Sequence, residues 1–177
     1  MTPHVDGPLT RRDLAHGTTH RLKGRGAFQF TDALYSVIFS KERGLLRCLD
    51  TMLSFPDKPA TPRLHLFAEG YKPSGPEWPP SNLRFDFDPE HQVAAAVLLV
   101  LDKDGDIHQW MTEGDAGRDD VFLTHDSWNP KERQFPPDSF ITVAQLREAV
   151  AQWAFGDVFP PPAVRWRTAT EDEVGWL

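Results

Sequence analysis

Cysteine occurs once in this sequence, at Cys48. A disulfide framework within the chain and a cysteine-rich structural zinc site both need several thiols, so both are excluded. Long apolar runs are missing too: the longest, Val93 to Leu101, falls well short of the roughly 20 residues of a membrane-spanning helix. Met1 to Arg25 contains no apolar stretch of signal-peptide length, which leads us to expect a cytoplasmic protein. No glycine loop of the phosphate-cradling kind and no basic, aromatic-interleaved stretch is present, which weakens nucleotide and nucleic-acid binding as readings. A zinc deaminase needs a His-x-Glu element and a Pro-Cys-x-x-Cys element, and one cysteine cannot supply the second.

What is present suffices for a folded domain. The 177 residues are 40% hydrophobic and 11% aromatic, enough for one domain with a real core. Acids outnumber bases, 26 Asp and Glu against 19 Lys and Arg, for a net charge of -7. Their distribution is uneven. Asp86 to Asp126 holds eleven acids against Lys103 and Arg118, a net of -9, whereas residues 1 to 28 carry five bases against two acids, a net of +3. Such a centre repels nucleic acid and attracts basic proteins. The plainer alternative is a solvated acidic face that confers only solubility.

Met1 to Gly26 is polar and aperiodic, and it reads as a flexible basic arm. Phe28 to Phe39 has the β-branched and aromatic content of a strand. Lys41 to Ser54 places Leu45, Leu46, Leu49, Met52 and Leu53 at helical spacing, and Pro56, Pro59 and Pro62 end that helix. Arg63 to Ala68 alternates like a strand, and the proline-rich stretch Tyr71 to Pro80 reads as a surface loop. Leu83, Phe85 and Phe87 alternate with Arg84, Asp86 and Asp88, the pattern of a strand with one face buried. The apolar run Gln92 to Leu101, the polar Asp102-Lys103-Asp104-Gly105 and the apolar resumption at Ile107 to Met111 predict a hairpin whose first strand is central in the sheet. Val121 to Leu123 is a short strand candidate. Val143, Leu146, Ala149, Val150 and Trp153 predict a helix with Thr142 as its N-cap and Gly156 at its end, followed by a last strand over Ala163 to Arg167. The sum is an α+β fold: a single domain over 27–170, mostly antiparallel sheet with two main helices packed on one face, preceded by the arm 1–26 and followed by a C-terminal tail 171–177.

The block Phe135-Pro136-Pro137-Asp138-Ser139, the helix Val143 to Trp153, then Phe159-Pro160 and Ala163-Val164-Arg165-Trp166 resembles the C-terminal signature of immunity protein family one of bacterial polymorphic toxin systems. The likeness covers roughly residues 83 to 168. It departs from the family in the N-terminal arm, the Tyr71 to Pro80 loop and the Ala-rich strand Val93 to Leu101. The resemblance implies a non-enzymatic cytoplasmic protein, without cofactor or metal, that binds a cognate toxin one to one and covers its active site. The family's partners are often deaminase-fold enzymes acting on nucleic acid. The quoted motif residues have core or turn spacing, so the resemblance marks a scaffold and not a binding face.

The candidate binding residues come instead from charge and aromaticity. A toxin that handles nucleic acid has a basic cleft, and Asp102, Asp104, Asp106, Glu113, Asp115, Asp119, Asp120 and Asp126 are carboxylates that can stand in for phosphates. Trp110 and Trp128 are candidate anchors, with core packing as the competing role. Asp102, Asp104 and Asp106 also resemble the opening of a calcium loop, but the glycine is displaced to Gly105 and flanking helices are lacking, which favours a hairpin turn. His16 and His20 are four apart, yet Gly17, Thr18 and Thr19 between them make a poor helix. Cys48 lies on the apolar face of its helix and reads as a core thiol. A scaffold protein of the same fold and a small hydrolase built on Cys48 or a His and Asp pair stand as alternatives.

Overall fold

A computed structural model describes residues 8–14, 22–30, 33–39, 41–54, 60–68, 81–126 and 130–175. In chain order the elements are β1 (Leu9–Thr10), β2 (Leu22–Phe30), β3 (Ala33–Phe39), α1 (Glu42–Leu53), β4 (Ala60–Ala68), β5 (Ser81–Asp88), β6 (Val93–Leu101), β7 (Ile107–Glu113), β8 (Ile141–Thr142), α2 (Val143–Phe155), β9 (Val158–Phe159), β10 (Arg165–Thr168) and α3 (Glu171–Val174). The main sheet runs β10-β7-β6-β5-β4-β2-β3, with β8 paired to one end of β6, and every pairing in it is antiparallel. β1 and β9 form a separate two-stranded ribbon. The expected α+β domain is therefore what the chain builds, and the expected hairpin is β6 and β7.

The sheet is covered on both faces. On one, α1 and α2 place Leu45, Leu49, Leu146 and Trp153 against Leu83, Phe85, Phe87, Ala94, Ala96 and Leu98. On the other, Val93, Ala95, Val97 and Leu99 of the same β6 meet Val121, Leu123, Phe135, Phe140 and Val174. Successive side chains of a strand point to opposite faces, so a strand buried on both sides must be apolar throughout, as β6 is. Its alanines have a packing reason: Phe85 lies opposite Ala96 and Phe87 opposite Ala94, large against small, which keeps the layer under the helices even. At the centre Trp153 is fully buried, and its indole N–H donates to the Ser81 hydroxyl at 2.9 Å.

Four sequence expectations need correction. The stretch read as a flexible arm contributes structure: β1 pairs with β9, Leu14 is 1% exposed and bridges to Asp102, and β2 begins at Leu22. β1 is two residues long and only the first five residues of β2 fall before residue 27, too little chain on that side for a period to show. The region 28–39 holds parts of two strands, because β2 and β3 form a hairpin. The tail 171–177 includes α3, whose Val174 is 1% exposed in the second core cluster. Val121 to Leu123 is coil and not a strand, with Val121 and Leu123 buried and Phe122 71% exposed; the nearest strand-like pairing is an isolated bridge between Thr124 and Gln134. Tyr71 to Pro80 lies outside the described residues.

Candidate protein-binding surface

The β6–β7 turn is built around one carboxylate. Asp102 is 8% exposed, and its Oδ1 accepts the backbone N–H groups of Asp104 and Asp106, each at 2.9 Å. Its Oδ2 lies 2.8 Å from Nε2 of His108. Burial acts to raise the pKa of Asp102, but the His108 contact and the two N–H groups outweigh it and hold the carboxyl below its ordinary value. Gly105 takes φ +90° at the turn, a conformation that glycine adopts without penalty. Asp102 is thus the internal staple of the turn and not a partner-facing group, which corrects its assignment as a contact residue. The expected hairpin turn is what the chain builds, with both Asp102 oxygens engaged by N–H groups or imidazole; among the described residues no three His, Cys, Asp or Glu side chains are grouped.

The staple positions a ledge. The His108 ring stacks on Trp110 with centroids 5.7 Å apart and planes 12° from parallel. Trp110 is half-buried at the margin of the helix-side core, as is Trp166, whose β10 register puts it opposite Thr112 and two residues before Thr168, the partner of Trp110. The Trp166 indole donates to the Pro161 carbonyl at 2.8 Å. Asp104 and Asp106 are exposed beside the ledge and make no ion pair among the described residues. Lys103, the cation of the turn, leans 3.8 Å from Asp13.

The remaining acids sit elsewhere. Asp106 and Glu113 are separated by the length of β7, about 23 Å for extended chain, so the acidic run in sequence becomes two clusters at opposite ends of a strand. Asp115 and Asp119 are exposed without an ion-pair partner, whereas Asp120 is held by Arg118 at 2.9 Å and lies 3.7 Å from His91. Glu113 is half-buried and acts electrostatically on Arg167. Asp126 is half-buried beside His125. Trp128 lies outside the described residues. The structure therefore brings together Asp102, Asp104, Asp106 and Trp110, and separates them from Glu113, Asp115, Asp119, Asp120 and Asp126.

The second cluster rests on the Pro-Pro segment. Gly114 N–H donates to the Asp138 carbonyl at 2.8 Å and Ala116 N–H to the Phe140 carbonyl at 3.0 Å. A Cβ on Gly114 would lie 2.1 Å from the Phe140 oxygen, so only glycine permits this approach. His108 is a candidate residue of this surface that sequence reasoning missed. The available signal was its two-residue spacing to Trp110, which puts both on one face of a strand.

Comparison of the chain with protein-family models, with curated proteins and with solved structures gives no match.

Proposed function

We propose that this protein is an immunity-type binder that neutralises a toxin with a basic cleft by covering its active site, as the sequence resemblance implies. The single observation that carries the reading is the β6–β7 tip: two exposed carboxylates without counter-ions, Asp104 and Asp106, beside the stacked His108 and Trp110. Uncompensated carboxylates steer a basic partner, and a half-buried tryptophan held rigid by its neighbours loses little freedom on contact. The partner class we favour is a nucleic-acid-modifying enzyme, with a deaminase-type toxin as the family's example, met in the cytoplasm in a one-to-one complex.

Co-expression with the toxin encoded immediately upstream, followed by co-purification and a growth assay, tests this directly. A complex with rescued growth is expected, and absence of both sinks the reading. Within such a complex, Asp104→Asn with Asp106→Asn should slow association and weaken its salt dependence, and Trp110→Ala should speed dissociation by a factor on the order of 30, about 2 kcal/mol. Unchanged rates would move the interface away from the tip, leaving the second acidic cluster as the alternative.

A further inference from the structure

On the helix side, one face of α1 with Arg147 of α2 at its edge lines an open cleft of about 700 Å³. Arg43, Arg47 and Arg147 line it against Glu42 and Asp50, a small basic excess on an acidic chain. Arg43 and Arg47 come from α1, four residues apart and therefore neighbours on one helix face. Arg147 comes from α2. Asp50 holds Arg147 in a bidentate pair, at 2.5 and 2.9 Å, so these two charges cancel and form a fixed wall. Burial is not what holds this wall, since both side chains are at least 40% exposed. Among the described residues Arg43 and Arg47 have no ion-pair partner, and Glu42 is the other acid lining the cleft. Leu46, half-buried between the two arginines in sequence, adds an apolar floor.

We propose that this cleft is a second binding site and that it takes an acidic, extended polypeptide segment of a partner protein. Charge decides the sign of the ligand, because two unpaired guanidinium groups one helical turn apart can each receive a carboxylate in fork geometry. Shape decides its class. Small-molecule sites bury most of their ligand, whereas this cleft lies open along the helix and suits a chain that continues past both ends. Nucleic acid fits less well, since its evenly spaced phosphates would meet Glu42 as well as the arginines, whereas a polypeptide can leave that position uncharged. A polypeptide can place its acids opposite Arg43 and Arg47 and an apolar residue over Leu46. This site is independent of the toxin-neutralising reading and lies on different elements.

The test is titration of the full chain into a fluorescently labelled acidic peptide of alternating Glu and Leu, followed by anisotropy at low and moderate salt. Saturable, salt-sensitive binding is expected. Arg43→Gln with Arg47→Gln should weaken it about tenfold, consistent with two exposed charge contacts. Arg43→Lys with Arg47→Lys should retain part of it, and Lys131→Ala, on an exposed turn elsewhere, should leave it unchanged. Both arginines are exposed, so an unshifted melting transition in the double variant confirms that the fold is intact. Equal binding by the Gln double variant, or no saturation in the parent, overturns the site. Tighter binding of a single-stranded oligonucleotide or of inorganic phosphate than of the peptide overturns the polypeptide assignment.

Discussion

His125 is fully buried, its ring edge-on to Phe135 at 5.2 Å, and neither ring nitrogen has a partner in hydrogen-bond geometry. Burial, with Arg84 on β5 and Arg133 across the turn acting in the same sense, pushes its pKa down to about 4, against the opposing influence of Asp126 and the Glu173 backbone. In the unfolded chain a histidine titrates near 6.5. The folded state thus refuses a proton that the unfolded state accepts. Stability from the neutral ring is complete above about pH 6.5 and is lost as pH falls through the window down to about 4, by an amount on the order of 2 to 3 kcal/mol. Urea unfolding at a series of pH values should show that slope, and His125→Phe should flatten it; an unchanged slope would remove His125 as its source. Gly114 supports a second prediction at this scale. Gly114→Ala forces a Cβ onto the Phe140 carbonyl oxygen and should cost about 2 kcal/mol or more, read as a lowered unfolding midpoint.

At the scale of elements, the C-terminal end of α2 is closed by a residue from the other end of the chain. Arg11 donates to the carbonyls of Ala154 at 2.6 Å, Trp153 at 3.2 Å and Gly156, and its guanidinium lies 5.9 Å from the Phe159 ring centroid. The last carbonyls of a helix have no partner within it, and a cation there also complements the helix dipole. Arg11→Ala should destabilise the protein by about 1 to 3 kcal/mol and raise hydrogen exchange in the final turn of α2. Amide protection equal to the parent's would show that solvent satisfies those carbonyls equally well. α3 is held at its base by an ion pair, beside its Thr170 capping box and the Arg133 bond to the Asp172 carbonyl. Arg167 lies 2.8 Å from Glu173, and with the Thr170 backbone it holds the Glu173 carboxyl down to about 2. Arg167→Ala should return that pKa toward 4.5, visible by carbon-detected titration. Because the native carboxyl is depressed, its contribution is present above about pH 4.5 and fades as pH falls toward 2. The N-terminal end of α2 was legible in advance: Thr142 accepts from Gln145 N–H while Gln145 accepts from Thr142 N–H, a capping box that a Thr-x-x-Gln string announces.

Over the whole molecule, the first and last described elements, β1 and α3, are both packed into the body. β1 pairs with β9 and carries Leu9 into the helix-side core, Leu14 packs beside Asp102, and α3 closes the opposite face with Val174. Removal of residues 1–14 should therefore lower the unfolding midpoint markedly and not merely trim an appendage, a result that chemical denaturation of the truncated chain will show. Indifference to the deletion would make the β1–β9 ribbon an ornament.

By itself the sequence determined the α+β class, the centrality of β6, the hairpin at Asp102 to Asp106, the caps of α2 and the surplus of acid. Each is a local matter: alternation, helical spacing and turn chemistry act within about a dozen residues and leave a readable period. Tertiary structure decided the rest. It turned Asp102 inward to staple its own turn, stacked His108 on Trp110, parted one acidic run into two clusters, and recruited Arg11, Leu9 and Val174 into the body. Those outcomes depend on contacts between residues far apart in the chain, such as Arg11 with Ala154, and on the direction a strand gives its side chains. A single such contact leaves no period in the sequence to be read.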